Sequence, residues 1–108
     1  MPRVADILFE RVGRVGVITL NRPRALNALT WGMARHMRTR LREWAADARI
    51  RAVVIGGAGP RAFCAGGDIH AIYRRRHMDR GPLRRFYRDE YRLNAEIKRF
   101  PKPYIALL

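Results

Sequence analysis

Between Gly56 and Asp68 the sequence reads Gly-Gly-Ala-Gly-Pro-Arg-Ala-Phe-Cys-Ala-Gly-Gly-Asp, five glycines and one proline in thirteen residues. A backbone so poor in side chains either passes close to another group or takes positive φ angles. A phosphate cradle is the first chemistry to test. A P-loop needs a Lys followed by Ser or Thr after its last glycine, and none is present; a dinucleotide fingerprint needs three glycines opening a helix directly after a strand, whereas Gly57 and Gly59 lead into Arg61-Ala62-Phe63. What remains is Gly66-Gly67-Asp68 at the start of a predicted short helix, Ile69 to Tyr73, where free backbone N–H groups can meet an oxyanion. Gly67 carries no Cβ to block a carbonyl approaching the main chain, and one such donor contributes about 2.7–4 kcal/mol to a transition state. A plain turn with Asp68 as its capping residue is the alternative that spacing alone leaves open.

Other reactive side chains carry less. Cys64 is a candidate nucleophile, but His36, His70 and His77 form no Cys–His signature with it, so a small packed thiol is the better reading. His70 and His77 stand seven residues apart without cysteines or carboxylates at zinc spacing, and no metal site is expected. Glu90 lies on a predicted helix, where a solvent-facing carboxylate paired with Arg88 or Asn94 is the plain alternative to a functional one.

These residues need elements to hold them. Ile7 to Glu10 and Val15 to Asn21 are β-rich and separated by Arg11-Val12-Gly13-Arg14, which predicts an opening hairpin. Asn21-Arg22-Pro23 favours a turn. Thr30 then caps a helix whose apolar positions recur at Ala34, Met37, Leu41, Trp44 or Ala45, and Ala48, with Arg35, Arg38, Arg42 and Arg49 on the solvent face. Ala52-Val53-Val54-Ile55 is a short apolar run suited to a strand covered on both faces. A second helix spans Leu83 to Arg99, with Leu83, Phe86, Tyr87, Tyr91, Asn94 and Ile97 as its inward stripe. Pro101 and Pro103 end it, and Tyr104 to Leu108 begins another strand. The alternation implies α/β architecture with right-handed crossovers. Because the sequence stops inside an apolar run, the expectation is an incomplete domain.

Composition bounds the partners. The chain has 108 residues and a formal charge of +14, from 23 Lys plus Arg against 9 Asp plus Glu; two of the cations are lysines, Lys98 and Lys102, leaving 21 arginines. A basic chain invites nucleic acid or a phosphorylated small ligand. Aromatics interleaved with cations on an exposed sheet are missing, which disfavours a nucleic-acid module. No apolar run approaches the roughly 20 residues of a membrane span, so no membrane partner is expected. One cysteine and no secretory h-region make a cytoplasmic location the default expectation.

Taken together and in order, Asn21-Arg22-Pro23-Arg24-Ala25-Leu26-Asn27-Ala28-Leu29 and Ala62-Phe63-Cys64-Ala65-Gly66-Gly67-Asp68-Ile69 resemble the enoyl-CoA hydratase/isomerase (crotonase) superfamily. Phe86-Tyr87-Arg88-Asp89-Glu90-Tyr91-Arg92-Leu93-Asn94 and Lys102-Pro103-Tyr104 are similar to its 3-hydroxyisobutyryl-CoA hydrolase branch. The resemblance runs from about Ile7 to Leu108 and implies a crotonase-like ββα-repeat fold, of which residues 1–108 are the N-terminal part of a single domain. It implies an acyl-CoA thioester as partner, CoA being part of the substrate rather than a separate cofactor, and a homo-oligomer as an option at full length. Gly67 would give the first oxyanion-hole N–H, Asp68 would fix its loop, and Glu90, pointed inward with Tyr87, Tyr91 and Asn94, would contact the acyl group. The backbone at Arg24, Ala25, Leu26 and Ala65 would receive CoA. The implied reaction is hydrolysis of 3-hydroxyisobutyryl-CoA in valine catabolism, with hydration or isomerisation of an enoyl-CoA as the alternative. Efficient turnover would need a second oxyanion donor and later carboxylates that these 108 residues do not include.

Overall fold

The computed structural model describes residues 5–60, 64 and 81–107, the side chains of 81–83 excepted. In chain order it holds β1 (Ile7–Val12), β2 (Val15–Leu20), a 3-10 turn (Pro23–Ala25), α1 (Trp31–Ala46), β3 (Ala52–Gly57), α2 (Gly81–Lys98) and β4 (Tyr104–Ala106). The predicted hairpin, α1, β3, second helix and last strand all form, and the α/β class holds.

One four-stranded sheet runs in the order β1-β2-β3-β4. β1 and β2 are antiparallel, with Ile7 opposite Leu20 and Arg11 opposite Gly16, and Gly13, at φ 61, opens the turn between them. β2 and β3 are parallel, Ile18 beside Ile55, and β3 and β4 are parallel, Val54 beside Ile105. Parallel neighbours require a crossover, which α1 supplies between β2 and β3.

Alternation along β2 buries Gly16, Ile18 and Leu20 on one face. Val53 and Ile55 of β3 join them, and α1 lays Met33, Ala34, Met37, Leu41 and Trp44 across this face. Each fully buried Leu, Ile or Met contributes about 1.5–3 kcal/mol by leaving water. β3 is not covered on both faces among the described residues, because Ala52 and Val54 stay half-exposed. Gly16 sets the closeness of the helix: a Cβ there would lie 2.6 Å from the Trp44 ring.

Both ends of α1 are satisfied. Thr30 Oγ1 accepts from the Met33 N–H at 3.2 Å, as a capping residue should. The helix stops at Ala46, so Ala48 is exposed rather than part of the apolar stripe, and Arg49 pairs with Asp47 beyond the helix. Lys102, just before β4, donates to the carbonyls of Trp44 (2.6 Å) and Asp47 (2.7 Å) at the α1 C-terminus, where the helix dipole and orphan carbonyls favour a cation.

α2 packs on α1 through a stripe that keeps Phe86 and Ile97 of the expected one but not Tyr87, Tyr91 or Asn94. Phe86 and Leu93 are buried, and Asp89, Glu96 and Ile97 are half-buried beside them. Tyr87, Tyr91 and Asn94 face solvent, with Tyr91 68% exposed. The cause is polar pairing across the helices. Arg38 donates to Asp89 at 3.1 Å and to Glu96 at 3.1 Å, Arg42 reaches the same Glu96 oxygen at 2.8 Å, and the Trp31 indole donates to Asp89. Arg38, expected on the solvent face, therefore has a side chain only 15% exposed. Among the described residues no helix is long and apolar enough to cross a membrane.

Candidate functional site

Arg24, Ala25 and Leu26 lie on the connection between β2 and α1, and its shape is set by hydrogen bonds. Pro23, with its fixed φ, starts the 3-10 turn, and the Ala25 and Leu26 amides close back on the carbonyls of Arg22 (2.9 Å) and Pro23 (3.2 Å). The chain then reverses through two left-handed residues, Leu26 (φ 52) and Asn27 (φ 55). An L-residue other than Asn, Asp or Gly meets a penalty of about 1–2 kcal/mol there. Leu26 accepts that conformation while remaining 41% exposed, so burial does not offset it. Non-glycine residues held in this region cluster at ligand-binding sites.

Asn27 is the residue that fixes the loop, and it is fully buried. Its Oδ1 accepts from the Arg22 N–H at 2.9 Å, its own N–H donates to the Arg22 carbonyl at 2.8 Å, and its Nδ2 donates to the Ala58 carbonyl at 2.9 Å. Ala58 stands at the start of the glycine-rich segment, and its N–H donates to Leu20 at 2.8 Å, extending the β2–β3 ladder by one bond. Gly59, at φ 83, packs so closely on Pro23 that a Cβ would come within 2.7 Å of the Pro23 Cβ. One side chain and one glycine thus dock the 23–27 turn onto the entrance of the 56–68 loop, and the Arg22 guanidinium adds a bond to the Ala28 carbonyl at 2.7 Å.

The sequence quoted Asn27 within a motif without giving it a role. Asn is the commonest residue after Gly in the left-handed region, and its place just ahead of the Thr30 cap was the available signal. Its partner on Ala58, thirty-one residues away, has no local signature.

Of the expected site residues, Arg24, Ala25 and Leu26 lie on the turn whose flanking residues Pro23 and Asn27 meet Gly59 and Ala58. Ala65, Gly67 and Asp68 lie outside the described residues. Cys64 is half-buried against the hydrophobic core, as a packed thiol would be. Glu90 is half-buried on α2, but not in the company expected, since Tyr87, Tyr91 and Asn94 point to solvent. Among the described residues Glu90 forms no ion pair with Arg88 or any other cation, nor a hydrogen bond with Asn94. The turn carrying Arg24 to Leu26 spends the Ala25 and Leu26 amides internally and presents one exposed arginine, Arg24, close to where the 56–68 segment begins.

Residues 15–108 match the protein family described as enoyl-CoA hydratase/isomerase. Over 104 residues the chain is 50% identical to the mitochondrial 3-hydroxyisobutyryl-CoA hydrolase of Danio rerio, covering 96% of this chain and 27% of that protein. The corresponding protein of Bos taurus is 49% identical over the same coverage. Among solved structures, a carnitinyl-CoA dehydratase from Mycobacterium thermoresistibile superposes with a TM-score of 0.90 at 52% identity, covering 94% of this chain and 30% of the other. The chain therefore spans about a quarter of the length of the curated relatives it matches, and the crotonase-like fold is shown.

Both curated relatives are named as mitochondrial, which overturns the cytoplasmic expectation. A lone cysteine fits any reducing compartment, and the lack of a secretory h-region bears only on secretion.

Proposed function

The chain belongs to the enoyl-CoA hydratase/isomerase family, and from that premise we propose that the protein hydrolyses a CoA thioester, with 3-hydroxyisobutyryl-CoA as substrate and a role in valine catabolism. The observation that carries the reading is the 50% identity to a named hydrolase across nearly the whole chain, Glu90 and Gly66-Gly67-Asp68 included in the matched span.

On this reading the Gly67 N–H is one of two donors aimed at the thioester oxygen, where negative charge develops when water attacks the carbonyl carbon. Donors fixed before reaction strengthen as that charge grows, and so lower the barrier. Asp68 holds their loop. Glu90, a carboxylate without a competing ion pair among the described residues, accepts a hydrogen bond from the acyl hydroxyl. The main chain at Arg24, Ala25, Leu26 and Ala65 receives CoA, and Asn27 keeps that turn in register with the loop. No cofactor beyond the substrate's own CoA is invoked. Water adds to the carbonyl, the carbon–sulfur bond breaks, and the products are the hydroxy acid and the CoA thiol.

A second reading, hydration or dehydration at the same site, is favoured by one observation, the 52% identity to a carnitinyl-CoA dehydratase. A panel of acyl-CoA substrates separates them. Thiol release from short branched 3-hydroxyacyl-CoA supports hydrolysis; water addition to an enoyl-CoA with no thiol release supports the second reading.

A further inference from the structure

Among the described residues a dense cluster of charge lies outside the 23–27 turn, in an open groove of about 480 Å³ between α1 and α2. Six arginines among the described residues line it: Arg35, Arg38 and Arg42 from α1 and Arg85, Arg88 and Arg92 from α2. Among the described lining residues Asp89 is the one carboxylate, with Glu96 behind it, and both are already engaged by Arg38, Glu96 by Arg42 as well. Arg88 and Arg92 meet no carboxylate among the described residues. Within each helix these arginines stand three or four apart, the spacing at which like charges repel. The cost recurs on two facing helices, so the cations converge on one space instead of spreading over the surface.

The geometry points to an anion. Guanidinium forks donate two parallel hydrogen bonds to a phosphate, and several of them around one groove select an anion with more than one phosphate group. The ends of the groove argue against nucleic acid. Trp31 is the one aromatic among the described lining residues, and the guanidiniums of Arg35 and Arg85 already lie over its ring at 5.5 and 5.9 Å, so it offers no free platform for a base. We propose that the α1–α2 groove, whose described lining includes none of the residues assigned to the thioester site, is a binding site for a compact anion bearing two or more phosphates, independent of the thioester reading.

Inorganic pyrophosphate is the probe, titrated calorimetrically into the purified protein at near-physiological salt, where nonspecific attraction is screened over about 8 Å. Saturable binding is expected, with sulfate at least about tenfold weaker because it engages fewer forks. Arg88→Gln/Arg92→Gln should weaken pyrophosphate at least about tenfold, while Arg14→Gln/Arg51→Gln, which removes the same charge elsewhere, should change it less than about twofold. Saturating CoA should leave pyrophosphate binding in place, and a nucleoside diphosphate binding as tightly as pyrophosphate would extend the ligand class without requiring a base pocket. The proposal is overturned by absence of saturable binding, by equal losses in the two double variants, by sulfate matching pyrophosphate, or by displacement with CoA. Thiol release from an acyl-CoA reports on the proposed function separately.

Discussion

Asn27→Ala tests whether the 23–27 turn is held by one side chain. The substitution removes the bonds to the Arg22 N–H and the Ala58 carbonyl, both 2.9 Å, each contributing about 1 kcal/mol net. It also leaves alanine at φ 55, about 1 kcal/mol above asparagine in that conformation. The expected loss is about 3 kcal/mol, read as a shift of the urea midpoint at unchanged slope. Asn27→Gly separates the two contributions. Glycine loses the same two bonds but not the left-handed penalty, so it should be more stable than alanine by about 0.5–1 kcal/mol even though glycine gives the unfolded chain more freedom. Both variants should raise KM for the acyl-CoA more than they lower kcat, since the turn is assigned to binding. An alanine variant within about 0.5 kcal/mol of the parent, or one more stable than the glycine variant, would refute the reasoning.

Three further outcomes are expected. Lys102→Met should lower stability by about 1–2 kcal/mol, checked by denaturant melts, because two terminal carbonyls of α1 lose a charged donor. Tyr104→Phe should raise it by about 1 kcal/mol, since the Tyr104 hydroxyl is buried with no hydrogen-bond partner among the described residues. The same burial pushes the Tyr104 phenol from the usual 10 up to about 12. The folded state thus holds this proton more tightly than the unfolded one, and the associated stability, complete below pH 10, falls away as pH rises toward 12; spectrophotometric titration should find a late component that Tyr104→Phe removes. Glu90→Gln should leave the melting curve in place and lower kcat/KM for 3-hydroxyisobutyryl-CoA about 10- to 100-fold, the worth of a hydrogen bond to a charged group.

Much of the frame was legible because it is local. Thr30 followed by Met37, Leu41 and Trp44 announces a capped amphipathic helix, and Gly13 between two β-rich runs announces a hairpin. The face of α2 was not legible. Tyr87 and Tyr91 look like core residues at helical spacing, while Asp89 and Glu96 look like solvent, yet the carboxylates turn inward because Arg38, Arg42 and the Trp31 indole on another helix satisfy them. Pattern reading assigns polarity to solvent by default, and a partner fifty or more residues away reverses the sign. Lys102 shows the same limit: within Lys-Pro-Tyr it reads as a motif, and its work at the far end of α1 appears only once β4 lies beside β3. At the candidate site, the motifs identified the turn and the loop, whereas the Asn27 bond that joins them depended on a long-range contact.

The central claim is cleavage of a thioester, and the most direct measurement is the stoichiometry of products from 3-hydroxyisobutyryl-CoA supplied to the purified protein in heavy-oxygen water. Hydrolysis yields one free CoA thiol per carboxylic acid, with one heavy oxygen in the new carboxylate. Loss or gain of water in the acyl chain with CoA still attached, and no thiol released, would contradict it.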